Sequence, residues 1–314
     1  MRIAIIDMGS NTFNLLIRET ANDRVLYSEK IPVRLAEGGI MEKRITPKAE
    51  ERALACLKKY RATCQEWQVV EIYALGTSAL RDAANKERLQ KRAAEEYGIH
   101  INVIPGSTES ALIYQGVKKA LSIPPEATLI MDIGGGSTEF VICENNISLW
   151  QHSFDIGSSR LLDIYEPSEP LSLQEGKDIN NYLQTALKPL WEECKRAEPQ
   201  NLIGSSGSFE TLAAIASLRF GTFAFSESDT HGTIPLKEYH AVSTYLKTHN
   251  LQTRLDTPGM IAMRARNIVM ACILIDVVLK NITVKQFHFS MYALKEGAFQ
   301  SIKTKQAPWQ KSLL

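Results

Sequence analysis

Two stretches of this chain end an apolar run in an aspartate and follow it at once with small residues. Ile3 to Ile6 leads into Asp7-Met8-Gly9-Ser10-Asn11, and Leu129 to Met131 leads into Asp132-Ile133-Gly134-Gly135-Gly136-Ser137-Thr138-Glu139. An aspartate at a strand end is a hard oxygen donor suited to a hydrated divalent cation. Glycines carry no Cβ and tolerate positive φ, so backbone N–H groups could close on a phosphate there. Together these residue types suit the handling of phosphate oxygens beside a metal ion. Taken alone, the second stretch reads equally as a glycine turn closing a hairpin, because short motifs recur by chance.

Such loops must hang from buried strands, and the chain supplies the frame for them twice. In the first half, strands at Ile3 to Ile6, Thr12 to Glu19 and Val25 to Leu35 form a meander, with the turn Ala21-Asn22-Asp23-Arg24 between the last two. Thr46 and Pro47 open a helix that runs to about Gln68. The strand Val70 to Leu75 enters Gly76-Thr77-Ser78-Ala79-Leu80-Arg81, a turn into a second helix. The strand Ile101 to Ile104 then breaks at Pro105-Gly106 before a helix carrying Glu109.

The second half repeats that order. Ile130 to Ile133, Thr138 to Cys143 and Ile147 to about Ile156 form the meander, and Glu144-Asn145-Asn146 forms its hairpin turn. The third run leads into Gly157-Ser158-Ser159-Arg160. A capping-box start at Ser172-Leu173-Gln174-Glu175 opens a helix to about Arg196. The strand Asn201 to Ile203 then enters Gly204-Ser205-Ser206-Gly207-Ser208. Asp132 follows Asp7 by 125 positions and Gly204 follows Gly76 by 128, a nearly constant offset that indicates duplication. The second copy carries a mostly helical insertion over about 219–282. It rejoins the pattern at the strand Gln286 to Phe289 and a helix from Met291 or Tyr292. The halves meet at the proline pair Pro124-Pro125, which gives domains of 1–123 and 124–314.

Composition narrows the function classes. Thirty-six Lys and Arg nearly balance 35 Asp and Glu, so no global charge draws the chain onto nucleic acid or an anionic membrane. The N-terminal apolar run breaks at Asp7 with no cleavage site after it, which points to a cytoplasmic protein rather than a secreted or membrane-spanning one. Five cysteines form no CxxC and six histidines no HxxxH or HExxH, leaving zinc chemistry unsupported. No GxxxxGK[ST] occurs. The apolar segment Ile268 to Leu279 reads as core, with a homodimer interface as the other reading.

The set DMGSNTFN, ALGTSALRDAAN, GSTESALIYQGV, DIGGGSTEF, DIGSSRL, IGSSGS and SMYALKEGAF resembles the exopolyphosphatase and guanosine pentaphosphate phosphohydrolase (Ppx/GppA) family, from about residue 3 to residue 299. The resemblance implies a fold of α/β class, a duplicated ribonuclease H-like, actin-like (ASKHA) architecture with two domains around a central cleft. It implies hydrolysis of a terminal phosphoanhydride in polyphosphate or guanosine pentaphosphate, with Mg2+ or another divalent cation. The family's catalytic glutamate lies in a G-x-x-E motif, which here is Gly106-Ser107-Thr108-Glu109. Beside the cradle, Asp132 and Glu139 are the metal candidates, with Asp7 opposite. Gly9, Ser10, Asn11, Thr77, Ser78, Gly134, Gly135, Gly136, Ser137, Thr138, Gly204, Ser206, Gly207 and Ser208 are the expected phosphate contacts. Arg81 and Arg160 are expected to fork onto phosphate oxygens, with a solvated helix arginine and a strand-end ion pair as their plainer readings.

Three departures stand out. An arginine usual two positions after the glutamate is Ala111, the family's R-A-D reads Arg264-Ala265-Arg266, and its R-E-G reads Lys295-Glu296-Gly297. The lost arginine supports a second reading, a protein that binds or senses guanosine polyphosphates or polyphosphate with little turnover. A third reading, an ATP-dependent kinase or chaperone of the same broad fold, is weakened by the absence of an extra substrate domain.

Overall fold

The computed structural model describes residues 1–226 and 228–313. The first half comprises β1 (Arg2–Met8), β2 (Thr12–Glu19), β3 (Val25–Pro32), α1 (Pro47–Glu66), β4 (Glu71–Gly76), α2 (Ser78–Asp82), α3 (Lys86–Tyr97), β5 (Ile101–Val103) and α4 (Gly106–Ala120). The second comprises β6 (Thr128–Ile133), β7 (Thr138–Glu144), β8 (Ile147–Phe154), α5 (Ser158–Tyr165), α6 (Leu173–Ala186), α7 (Lys188–Ala197), β9 (Asn201–Ser205), α8 (Gly207–Phe220), β10 (His231–Thr233), α9 (Leu236–Thr248), α10 (Leu251–Leu255), α11 (Ile268–Asn281), β11 (Gln286–Ser290), α12 (Leu294–Lys303) and β12 (Ser312–Leu313).

The two sheets share one topology. In the first the order is β3-β2-β1-β4-β5, antiparallel through the meander and parallel from β1 to β5. In the second it is β8-β7-β6-β9-β11, with the same senses. The chain is therefore a duplicated ribonuclease H-like fold of actin-like type. Each central strand is apolar along nearly its whole length because both of its faces are covered.

Local signals account for most element boundaries. Thr46 caps α1 by accepting from the Ala49 N–H at 3.3 Å, and Pro47 fills the first helical position. Ser172 and Glu175 form the reciprocal capping box of α6. The single helix expected from Ser172 to Arg196 is two: α6 ends at Leu187, and Pro189 sits in the first turn of α7, where its missing N–H costs nothing. The helix expected from Met291 starts instead at Leu294. The insertion is mostly helical as expected, but its His231–Thr233 segment also adds an edge strand to β11. The residues 268–278 of α11 are nearly all buried in the second half's core, which is the core reading of that segment.

The halves interlock through their last helices. α4 packs on β7 and β8 of the second sheet, and α12 packs on β1 and α4; β12 pairs with β4. Where α4 crosses α12, the backbones touch: a Cβ on Gly116 would lie 2.0 Å from the Ala293 carbonyl oxygen, and one on Gly297 would lie 1.8 Å from that of Leu112. A separate buried cluster joins Ile3 and Ile5 of the first sheet to Ile130, Val141 and Ile203 of the second through Val117 and Phe299. All five cysteines are buried and unpaired. Among the described residues no helix is long and apolar enough to cross a membrane.

Candidate active site

The carboxyl ends of β1, β4, β6 and β9 face one cavity of ≈ 570 Å³ between the two sheets. Open α/β sheets bind ligands at this end, because the loops and helix N-termini that follow the strands converge there. Buried and half-buried carboxylates lie on the cavity wall, among them Asp7, Glu109, Asp132 and Glu139. Asp7 ends β1 beside Asn14, its cross-strand partner, and accepts from the Asn14 amide at 2.9 Å. Asp132 ends β6 and has Glu139 as its cross-strand partner on β7. Directly paired residues carry their side chains on one face, with Cβ atoms about 5 Å apart, so these two carboxylates stand side by side.

Burial dominates the electrostatics. It pushes Asp7 and Asp132 up to about 6; the Lys295 ammonium lowers both in part, and for Asp132 the hydroxyls of Ser205 and Ser206 act first. Glu139 rises to about 7, from burial and then from the negative charge of Asp132. Glu109 is held well above the ordinary glutamate value by burial and by Glu139, which the neighbouring Arg81 opposes without cancelling.

Glu109 stands in the first turn of α4, 6% exposed, and its Oε2 accepts from Arg81 Nη1 at 2.8 Å. Arg81 also donates to the Ile104 carbonyl and reaches Ser153 Oγ at 3.5 Å. Ser153 Oγ donates to Glu139 Oε1 at 2.6 Å. A polar chain thus ties Glu109 to the Asp132–Glu139 pair across the two halves.

The cavity wall brings together Gly9, Ser10, Asn11, Thr77, Ser78, Gly134, Gly135, Gly136, Ser137, Ser206, Gly207 and Ser208. Ser78 Oγ is buried on this wall with no hydrogen-bond partner among the described residues, at the start of a helix. Ser206, immediately before α8, has φ 72°, an unusual conformation for a serine, and its hydroxyl donates to the Ile133 carbonyl.

Four residues expected at the ligand have other positions. Arg160 is spent: its Nε donates to the Gly136 carbonyl at 2.8 Å, and its guanidinium pairs with Asp82 of the first half. It braces the glycine loop from behind. Arg81 lies off the cavity wall, with its guanidinium turned to Glu109. Thr138 Oγ1 donates to the Ile156 carbonyl at 2.6 Å, inside the protein. Gly204 makes room for the Phe209 ring, which a Cβ would meet at 1.9 Å.

The glycine triplet also serves a different purpose from the one its sequence suggests. None of Gly134, Gly135 and Gly136 is among the positive-φ residues. Gly135 and Gly136 are small because the opposing half comes close, and Gly134 because a Cβ there would lie 2.9 Å from the Ser137 carbonyl oxygen of its own loop. A Cβ on Gly136 would lie 2.5 Å from Ser78 Oγ and 2.7 Å from Ser10 Oγ, and one on Gly135 would lie 2.9 Å from the Asn11 side chain. Ser159 Oγ donates to Asn11 Oδ1 at 2.7 Å across the same gap.

The carboxylates fit a hard cation only in part. Among the described residues no three of them converge closely enough to hold an ion by themselves. Of the expected set of Asp7, Asp132 and Glu139, the adjacent pair is Asp132 and Glu139, with Asp7 on the other half. Magnesium is commonly held by one or two carboxylates, with water and substrate phosphates completing its shell.

Several cavity residues carry no motif of their own. Lys30 on β3, Glu210 on α8, and Arg264, Arg266 and Lys295 line the wall. Arg264 and Lys295 fall where the sequence departs from or follows the family pattern, which was a usable signal. Lys30 and Glu210 had none, because their place depends on how the two halves face each other.

The sequence matches the profile of the Ppx/GppA phosphatase family, described by that name, over residues 16–306. A crystal structure of an exopolyphosphatase from Cytophaga hutchinsonii superposes with a TM-score of 0.95 at 38% identity, covering 99% of this chain and 100% of that one. Exopolyphosphatase 1 of Mycobacterium bovis is 24% identical over 95% of this chain and 87% of its own length. A guanosine-5'-triphosphate,3'-diphosphate pyrophosphatase of Photobacterium profundum is 31% identical over 68% of this chain and 43% of its own length. The duplicated sheets, the carboxylate-lined cleft and these likenesses lead to one assignment: the chain belongs to the Ppx/GppA phosphatase family.

Proposed function

We propose that this cleft hydrolyses the terminal phosphoanhydride bond of inorganic polyphosphate or guanosine pentaphosphate, with Glu109 as general base. The observation that carries the reading is Glu109 itself: a buried carboxylate on the cavity wall, its pKa raised well above the ordinary glutamate value by burial and by Glu139, and oriented by Arg81. In its ionised form such a carboxylate is a suitable acceptor for the proton of an attacking water.

Phosphoryl transfer asks little covalent work of a protein and depends on position and charge. Ser78 Oγ, Ser10, Ser208 and the N-terminus of α8 would hold the phosphoryl oxygens. A divalent cation, with magnesium the first choice, would sit at Asp132 and Glu139. When bound it neutralises charge on the phosphoryl oxygens. Glu109 orients the water and takes its proton, while Arg81 keeps the carboxylate in one rotamer. The relatives named exopolyphosphatase and pyrophosphatase support both substrate classes.

The test is phosphate release from long-chain polyphosphate, guanosine pentaphosphate and ATP, with and without magnesium, for wild type and Glu109→Gln. Loss of about a hundredfold or more in the variant is expected for removal of a general base. An unchanged rate would remove Glu109 from the mechanism, and tight binding with no release by wild type would favour the sensing protein instead.

A further inference from the structure

Glu210 is the one acidic residue in the first turn of α8, and it faces the cavity. Its Oε2 lies 3.3 Å from Lys30 Nζ on β3 of the other half and 3.8 Å from Arg264 Nη2. Among the described residues it is the sole carboxylate in a salt bridge with either cation. Lys295, also on the wall, is paired with Glu296 at 3.0 Å.

Charge around this corner is out of balance. Among the described residues one carboxylate serves both cations in salt bridges, Asp132 acts on Arg264 from farther off, and Arg264 Nε is buried with no hydrogen-bond partner. The Arg264 guanidinium occupies the space over Gly207, where a Cβ would lie 1.5 Å from Nη2, so it lies against the first turn of α8. A helix N-terminus is itself partly positive and favours an anion there. Lys30, Arg264 and the α8 N-terminus form a seat for an anion, and Glu210 reaches into it from the side.

We propose that Glu210 is an affinity-setting latch: it holds Lys30 and Arg264 across the cleft and competes with a substrate phosphoryl group for them. The proposal rests on the phosphoanhydride reading of the cleft. A phosphate brings more charge and more acceptor oxygens than a carboxylate, so it displaces Glu210 from Lys30, while Arg264 Nε gains the acceptor that it lacks. Glu210 thereby weakens the binding of short phosphate chains and lets product leave. A purely structural role, a carboxylate favoured by the helix dipole, predicts no gain in affinity when the charge is removed.

The experiment is calorimetric titration with magnesium tripolyphosphate in the Glu109→Gln background, which keeps the ligand intact. Glu210→Gln, nearly isosteric, is added alone and together with Lys30→Met, with circular dichroism and thermal midpoints checking each fold. The expected result is a Kd about threefold to fivefold lower for Glu109→Gln/Glu210→Gln than for Glu109→Gln, the upper range of a partly exposed ion pair. That gain should shrink to within about twofold once Lys30 is Met, since the competitor then has less to compete for. Equal or weaker binding on removal of the Glu210 charge, or a gain that persists without Lys30, would overturn the latch alone. No tripolyphosphate binding by any of the proteins would overturn the phosphate reading of the cleft and the latch with it.

Discussion

The two halves place glutamates at matching points and use them differently. Glu109 stands six positions after the end of β5, and Glu296 stands six positions after the end of β11. Glu296 is fully engaged: its Oε2 accepts from the Ala293 N–H at 2.9 Å, capping α12, and its other oxygen pairs with Lys295. The residue before α4 is Pro105, which has no N–H to cap, and Glu109 instead faces the cavity with Arg81 as its partner. Without that backbone donor Glu109 is not tied into a helix cap. The strand pairs diverge in the same way. Asp7 faces Asn14, whereas Asp132 faces Glu139, so of these two cross-strand pairs the second half's presents two adjacent carboxylates. On the proposed reading, the first wall would supply the base and the second the cation site.

The sharpest way to break this comparison is to remove both glutamate charges in turn. Glu109→Gln should cost about a hundredfold or more in kcat. Glu296→Gln should leave kcat within roughly fivefold and instead lower the thermal midpoint, through a loss of about 1 kcal/mol typical of a helix cap. Similar rate losses in both variants would mean that the halves share the base. The next test separates the aspartates. Asp132→Asn and Glu139→Gln should each raise the magnesium concentration for half-maximal activity by about tenfold or more, and Asp7→Asn by less, since Asp132 and Glu139 offer the adjacent pair that a hard cation takes up. Equal shifts in all three would place the ion between the walls rather than on the second.

The repeat made much of this legible before any coordinates. Strand ends that carry Asp7 and Asp132, the small-residue turns into helices that follow Gly76 and Gly204, and the Pro105-Gly106 break before Glu109 are all local signals, and local signals survive in a sequence. What stayed hidden depends on contacts between segments far apart in the chain. Lys30 and Glu210 are 180 positions apart and meet only across the closed cleft. Arg160 looked like a phosphate ligand because its type and place fit, yet Asp82, 78 positions earlier, takes its charge. Of the two grounds for the glycine triplet, the missing Cβ holds and positive φ does not, since a crowded neighbour and a positive φ both exclude a Cβ and look alike in sequence. The division of the long helix before Pro189 was readable, because a proline in a helical pattern favours a new first turn over an interior position.

The smallest expected effect is also the one whose sign is most easily mistaken. Asp7 and Asp132 near about 6 and Glu139 near about 7 are raised above the ordinary carboxylate range. A raised pKa means that the folded state holds its proton more tightly than the unfolded chain does. The resulting stability is fully present below the unfolded values near 4 and is lost as pH rises through about 6 to 7. In metal-free protein the folding stability, and with it the thermal midpoint, should therefore fall between about pH 4 and pH 7; the loss of stability is on the order of 1–3 kcal/mol, because the three charges are coupled and cannot each contribute in full. On the proposed reading magnesium would reverse the preference, by binding the ionised carboxylates and competing with their protons. With saturating magnesium the fall should shrink or disappear, and the magnesium required for half-maximal activity should rise as pH is lowered from about 7.5 to 6. Thermal scans at four or five pH values, with chelator and with magnesium, measure both effects. Asp132→Asn should flatten the metal-free slope more than Asp7→Asn does, because its removal also relieves Glu139, whose elevation depends on the Asp132 charge. If the two variants flatten it equally, the carboxylates of the second wall are no more strongly coupled than that of the first, and the asymmetry between the halves resides in Glu109 alone.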